Sequence, residues 1–463
     1  MMKPKVGLLP LYLKLYDDTM PEIRSAFSGM LNGIVARLTK FGIEVHRANV
    51  CRVRDEFATA IAQFEESDVD LIVTVHLAYS PSLESAELLA ATQLPLLMMD
   101  TTLDARFPQS VDPMRLMYNH GIHGVQDLAS VLRRLGKKFE IVAGHCEDER
   151  LFERTSVHAR GALAAKCLRT TKALRIGETF HGMGDFAVDD NLLREKLGIS
   201  VDQIGIEPLE NRCATISKAS IAEEYERDCE QYEITASEDT HKRSISVGLG
   251  LRKLINDGGY NALSLNFLAF NDPDSLACTV PFLEASKGMA RGIGYAGEGD
   301  VLTASLVGAL QRAFGNTTFT EVFCPDWAAR TLFISHMGEV NPQTAAKKPR
   351  LCEKEFPWTP VHNPAILACA PKPGPSVLVN IAPGPNDTFS LILAEMTVQP
   401  ENELNCFEDW VRGWLTPSTA IEGFLEVYSR AGGTHHSALV LGSRLPELCA
   451  FASHSGLDYS IIR

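Results

Sequence analysis

Two carboxylates and three imidazoles in the last third of the chain are the residue types that metal chemistry needs. They lie in G-Y-A-G-E-G-D (Glu298), T-F-T-E (Glu321), S-H-M-G-E-V-N-P (His336) and A-G-G-T-H-H (His435 and His436). Each stretch carries Gly or another small residue, where a tight turn can present a side chain to a cleft. Two Glu with two His make a full set of borderline N and O donors, suited to Mn²⁺, Co²⁺, Zn²⁺ or Fe²⁺. Taken singly, a Glu or His is more often a solvated surface group or a satisfied hydrogen-bond partner. Spacing alone does not decide, because H-H is not H-x-x-x-H and Glu298 to His336 fits no zinc-helix signature.

Elements to position these motifs are readable along the chain. In the first part strands and helices alternate, which implies a parallel sheet: strands over Val6–Leu13, Ile43–Val50, Asp70–Leu77, Pro95–Met99 and Phe139–Gly144, with helices around 21–40, 53–66, 81–92 and 121–136. A second α/β stretch has strands near Ala173–Ile176, Gln203–Ile206 and Ala262–Phe267, with helices over 189–197, 217–229, 241–257 and 299–314. Beyond 315, short β-rich runs at Ala365–Cys369, Ser376–Ile381 and Thr388–Thr397 are parted by P-K-P-G-P and P-G-P-N-D turns. The expected fold is two doubly wound α/β domains, 1–172 and 173–314, followed by a mainly antiparallel, barrel-like β domain, 315–463. The boundary near 315 falls between Glu298 and Glu321, and ligand clefts tend to lie at such junctions.

Composition narrows the function classes. A chain of 463 residues with 45% hydrophobic content exceeds what one core supports. Net charge of -14 without a basic stripe argues against nucleic acid. The N-terminal apolar run is too short and interrupted to span a membrane and reads as a buried first strand. Eleven Cys without a C-x-x-C pair suit reduced thiols in the cytoplasm. No G-x-G-x-x-G follows the first strand, so a dinucleotide is not supported.

The four motifs, in this order and at these separations, resemble the metal-site segments of the L-arabinose isomerase family, related more distantly to the L-fucose isomerases. Glu298 stands where that family has G-F-A-G-E-G-D-W, Glu321 where it has S-F-M-E-D, His336 where it has S-H-M-L-E-V-C-P, and His436 where it has the second His of G-G-A-H-H. Ile141 to Gly144 with His145, H-L-A-Y-S-P from His76 to Pro81, and G-G-Y-N-A-L-S-L-N-F from Gly258 to Phe267 extend the similarity over most of the chain.

The resemblance implies an aldose–ketose isomerase that moves a proton between C1 and C2 of an open-chain pentose, hexose or deoxy-sugar through an enediol. It implies Glu298, Glu321, His336 and His436 as ligands of a divalent metal, most simply Mn²⁺, with Glu298 and Glu321 also as the acid/base pair. His435 would line the substrate pocket or orient its neighbour, and Phe267 matches an aromatic that packs on the sugar. Asp300 reads equally as an acceptor behind a ligand or as the N-cap of the helix that follows. His123 aligns with a His that reaches into a neighbouring subunit's site, so a homo-oligomer, trimer or hexamer, is expected.

Departures concern the sugar rather than the metal. Leu13 stands where the family has a Gln of G-S-Q-H-L-Y that hydrogen-bonds the substrate, and Val301 replaces the Trp after E-G-D. A site lacking such a donor favours a substrate without the matching hydroxyl, or one held differently. Two other readings stay open: a metal-dependent epimerase or lyase using the same chemistry, and a sugar-binding relative without turnover.

Overall fold

The computed structural model describes residues 1–402 and 405–463. The chain folds into two compact units, one of residues 2–166 with 449–456, the other of residues 167–448 with 457–463 and Met1.

The first unit is built on five parallel strands, β1 (Lys5–Leu11), β2 (Glu44–Arg47), β3 (Leu71–His76), β4 (Leu96–Asp100) and β5 (Glu140–Ala143), in the order β2-β1-β3-β4-β5. Side chains alternate across a strand, so the sheet serves two cores at once. Val6, Leu8, Leu71, Val73 and Val75 pack on one face with Phe27 and Ile34. Leu9, Leu11 and Ile72 pack on the other with Phe57, Phe64 and Leu128. Coverage on both faces explains why β3, Leu-Ile-Val-Thr-Val-His, is buried at every residue and reads as one apolar run.

The second unit opens with β6 (Lys172–Ile176), β7 (Ser200–Ile204), β8 (Glu233–Ile234), β9 (Ala262–Leu265) and β10 (Gly294–Gly297). Four of them form a parallel sheet in the order β10-β9-β6-β7. Helix Val301–Phe314 is buried at every residue but Arg312, as a core helix must be when apolar on all sides. It leads into β11 (Thr317–Asp326), β12 (Thr331–Ser335), β13 (Arg350–Glu353), β14 (Ala365–Ala368), β15 (Gly374–Pro383), β16 (Phe389–Val398), β17 (Gly413–Pro417), β18 (His436–Leu441) and β19 (Asp458–Ile462). Six of these close an antiparallel barrel, β15-β18-β11-β12-β17-β16, through the β15–β16 hairpin, and β19 joins β16 in parallel. Closure leaves no free edge in the ring. Leu332, Ile334, Leu378, Ile392, Met396, Leu415 and Leu439 form its apolar cluster with Phe424 of helix Ile421–Arg430.

Parallel α/β sheets followed by an antiparallel barrel are the architecture expected from the sequence. The elements not foreseen include helix Glu149–Arg169, helix Phe282–Ala290 and strand β10. Among the described residues no helix is long and apolar enough to cross a membrane.

Candidate active site

Glu298 directly follows β10, at the carboxyl end of a parallel sheet, where such folds bind ligands. Its backbone has φ of 64°, a left-handed conformation that costs a non-glycine residue about 1 kcal/mol. Two hydrogen bonds hold it there: its N–H donates to the Leu265 carbonyl (2.9 Å), and its own carbonyl accepts from Phe180 N–H (2.8 Å). Gly297 before it must lack a side chain, because a Cβ would come within 2.7 Å of His336 Cε1.

Strand register gathers the other three groups. On β11, Glu321 is paired with His436 of β18 on one side and Ser335 of β12 on the other. His336 follows Ser335 where β12 ends. Phe319 packs edge-on against both imidazoles, its ring centroid 4.7 Å from His336 and 4.9 Å from His436. One ligand atom from each of Glu321, His336 and His436 lies within 4.8 Å of the others, and the same holds for Glu298, His435 and His436.

Both buried imidazoles have their ring orientation fixed from behind. His336 Nδ1 lies 2.8 Å from Glu339 Oε2, which also accepts from Gly338 N–H, while Glu339 Oε1 accepts from Tyr295 O–H at 2.5 Å. His436 Nδ1 lies 3.0 Å from Asp300 Oδ2. A carboxylate on Nδ1 makes that nitrogen the N–H and leaves Nε2 with a lone pair. Both Nε2 atoms are buried without a hydrogen-bond partner. Buried polar atoms are almost always satisfied, so two bare nitrogens in one cluster call for an electrophile.

The charges call for a cation as well. Among the described residues, the ion pairs of Glu298, Glu339, Asp300 and Asp185 are with His alone. Burial would raise the Glu298 carboxyl, but His435, then His336 and His436, hold it below the usual carboxylate range. Burial opposes charge on His336, yet Glu339, with Glu298 and Glu321, lifts it above the ordinary imidazole value. For His435, burial is outweighed by Asp185 and Glu298, which push it up to about 10. The donor set therefore fits a divalent cation, which would take the place of protons that these carboxylates otherwise attract. His436 is common to both ligand groups, so they adjoin at a single nitrogen, His436 Nε2.

Of the residues singled out from sequence, Glu298, Glu321, His336, His435 and His436 are brought together. Asp300 fills both of its expected roles, since Oδ1 also accepts from Thr303 N–H at the start of helix Val301–Phe314. Phe267 follows β9 and packs on Phe180, with ring centroids 5.6 Å apart; Phe180 is the residue whose N–H holds the Glu298 carbonyl. Leu13 and His123 belong to the first unit. Leu13 caps helix Lys14–Thr19, and His123 is exposed on the first turn of helix Gly121–Arg134, its ring 5.8 Å from His120.

Sequence reasoning missed Glu339, Tyr295, Asp185 and Phe186. Glu339 and Tyr295 lie inside motifs already singled out, and the i, i+3 spacing of His336 and Glu339 was the available signal. Asp185 had none: it meets His435 across 250 residues of chain.

Comparison with known proteins identifies the family. Models of the L-arabinose isomerase N-terminal, central and C-terminal domains match residues 14–170, 172–315 and 316–458. The protein is thus an enzyme of the sugar isomerase class, an intramolecular oxidoreductase. L-arabinose isomerase 1 of Bacillus licheniformis is 27% identical over 86% of this chain and 82% of its own length. The L-arabinose isomerase of Herpetosiphon aurantiacus is 26% identical (89% and 84%), and that of Leuconostoc mesenteroides 27% identical (96% and 96%). The chain belongs to the L-arabinose isomerase family, as a divergent member. Among solved structures, a periplasmic solute binding protein from Actinobacillus succinogenes with bound D-allose covers 67% of this chain and 92% of its own, at 13% identity and a TM-score of 0.19, too low to bear on function.

Proposed function

We propose that this sugar isomerase depends on a divalent metal, most simply Mn²⁺, held by Glu298, Glu321, His336 and His436. The observation that carries the reading is the pair of buried, unpartnered Nε2 atoms beside the Glu298 and Glu321 carboxylates. Bound there, the metal would polarise the sugar carbonyl and stabilise negative charge on O1 or O2. Glu298 and Glu321 are the acid/base pair: one takes the proton from C2 of the aldose as the enediol forms, and the other manages the hydroxyl protons. The left-handed backbone at Glu298 fixes where its carboxylate starts, a use of strain common at functional sites. Asp300 and Glu339 keep the imidazoles in the tautomer that offers Nε2.

The same proposal makes the protein a cytoplasmic homo-oligomer of three domains, 1–172, 173–314 and 315–463. Within it Phe267 packs on the sugar, His123 completes a neighbour's site, and Leu13, in place of a hydrogen-bonding residue, selects against one sugar hydroxyl. L-arabinose is one candidate substrate, alongside hexoses and deoxy-sugars.

The test is to incubate metal-stripped protein with a panel of pentoses, hexoses and deoxy-sugars, with and without Mn²⁺, following ketose formation and deuterium incorporation at C2. Exchange that requires metal and disappears in Glu298→Gln and Glu321→Gln is expected. Tight sugar binding with neither exchange nor ketose from any member of the panel overturns the reading.

A further inference from the structure

The chain between β6 and helix Asp190–Leu197 carries no motif, yet it touches most of the site. Phe180 N–H holds the Glu298 carbonyl. Phe186 lies flat on His436, with ring centroids 5.0 Å apart and planes within 9°, and also meets His435 at 5.3 Å. Asp185 Oδ2 accepts twice from His435, from its backbone N–H (2.9 Å) and at Nδ1 (2.7 Å).

His435 differs from the other two imidazoles in what is left over. The side chains of His336 and His436 are 2% and 0% exposed, and each points a bare Nε2 into the ligand cluster. The His435 side chain is 33% exposed, and its Nε2 faces Glu298 Oε2 at 3.6 Å, beyond hydrogen-bond length. With the metal held by Glu298, Glu321, His336 and His436, as proposed above, His435 is left off the metal. Its Nε2 then lies beside Glu298 Oε2, free to meet a group that approaches that carboxylate.

Resting on the isomerase reading, we propose that Asp185 is a positioning residue that aims His435 Nε2 at a hydroxyl of a sugar lying against Glu298. A hydroxyl both donates and accepts, so it can pair with Nε2 in either protonation state of the ring. With Nδ1 and the backbone N–H of His435 both tied to one carboxylate, the ring can neither flip nor swing toward the metal. Loss of that tie lets the imidazole turn away and costs substrate binding before it costs the proton transfer.

The test uses full-length Asp185→Ala and Asp185→Asn with three readouts: Mn²⁺ affinity by titration of free-ion paramagnetic resonance, affinity for an inert pentitol by calorimetry, and KM and kcat on the sugar turned over fastest. For Asp185→Ala, Mn²⁺ affinity stays within about twofold of the parent, while the pentitol Kd and the sugar KM rise about tenfold, the scale of one hydrogen bond, and kcat changes less. Asp185→Asn, whose amide oxygen still accepts from both His435 groups, recovers most of the loss and stays informative if the alanine variant misfolds. Unchanged pentitol affinity and KM in Asp185→Ala overturn the proposal. So does a parallel fall in Mn²⁺ affinity, which would put His435 on the metal. The two titrations need no turnover, so they decide this point even if the isomerase assay fails.

Discussion

Asp300 and His436, 136 residues apart, meet at 3.0 Å in a contact where neither side chain is exposed. The other Asp300 oxygen caps helix Val301–Phe314, so one carboxylate ties the start of that helix to the first residue of β18. Helix geometry and imidazole orientation are thereby set by the same atom group.

Separating the two roles gives a first prediction. Asp300→Asn keeps an oxygen for the cap but loses the charge behind His436, and Mn²⁺ affinity is expected to fall about 10- to 100-fold with little change in metal-free stability. Asp300→Ala loses the cap too and costs about 1 kcal/mol more. Calorimetric metal titration and thermal unfolding of the stripped protein separate the outcomes; equal metal affinity in parent and Asp300→Asn would refute the assignment.

Glu339 has the corresponding place behind His336. Glu339→Gln retains an acceptor for Tyr295 but removes a buried charge, and a loss of Mn²⁺ affinity of about 10- to 100-fold is expected. Tyr295→Phe, which keeps the Glu339 charge on His336, is expected to lose far less. A larger loss in Tyr295→Phe than in Glu339→Gln would reverse the proposed order of importance.

Backbone strain at Glu298 predicts a trade between stability and activity. Glu298→Gly relieves the left-handed residue and is expected to raise the unfolding temperature of the metal-free protein, with a gain of about 1 kcal/mol, while abolishing exchange at C2. Glu298→Gln, which keeps the strain, loses exchange without that gain. Equal unfolding temperatures for the two variants would show that the strain is not relieved.

Acid sensitivity follows from imidazoles in the first unit. His158 Nδ1 and His454 Nε2 lie 3.3 Å apart. Burial, then the charge of His158, pushes His454 down to about 3, and burial lowers His158 against the pull of Glu140. Burial likewise pushes His76 down to about 3. In the unfolded chain these groups titrate near 6.5, so the fold prefers them neutral. Stability is full above about pH 6.5 and is lost as pH falls from there toward about 3, by up to about 1.4 kcal/mol per pH unit per group. Denaturant unfolding of the metal-free protein from pH 7.5 to 4.5 measures the slope, and His454→Gln should flatten it; a flat parent profile would refute the account.

How much was legible beforehand differs between elements for physical reasons. Strand β3 could be read because burial on both faces makes it continuously apolar. Strand β10 could not: apart from Tyr295 its residues are Gly and Ala, poor strand formers, and the fold needs Gly294 because a Cβ there would run into the Ala304 carbonyl oxygen of the helix lying on it. Glu298, Glu321, His336, His435 and His436 stood out because small residues flank them. Preferring His436 to His435 as the ligand rested on resemblance; the two rings differ in burial, with His436 fully covered and His435 one-third exposed. Asp185 and Phe186 stayed hidden because their contacts exist only after the sheet and the barrel strands have come together.

Closure of the barrel makes the spacing of Glu321 and His436 a matter of counting. Their pairing on β11 and β18 can change only by whole residues; an odd step turns one side chain away, and any step must be matched around the ring. Drift is thus quantised for that pair, whereas Glu298, at the loop end of an open sheet, can move by small increments. Over evolutionary time the barrel can act as the fixed jaw of the site and the sheet as the adjustable one, so small shifts between the two carboxylates are to be sought first on the side of Glu298.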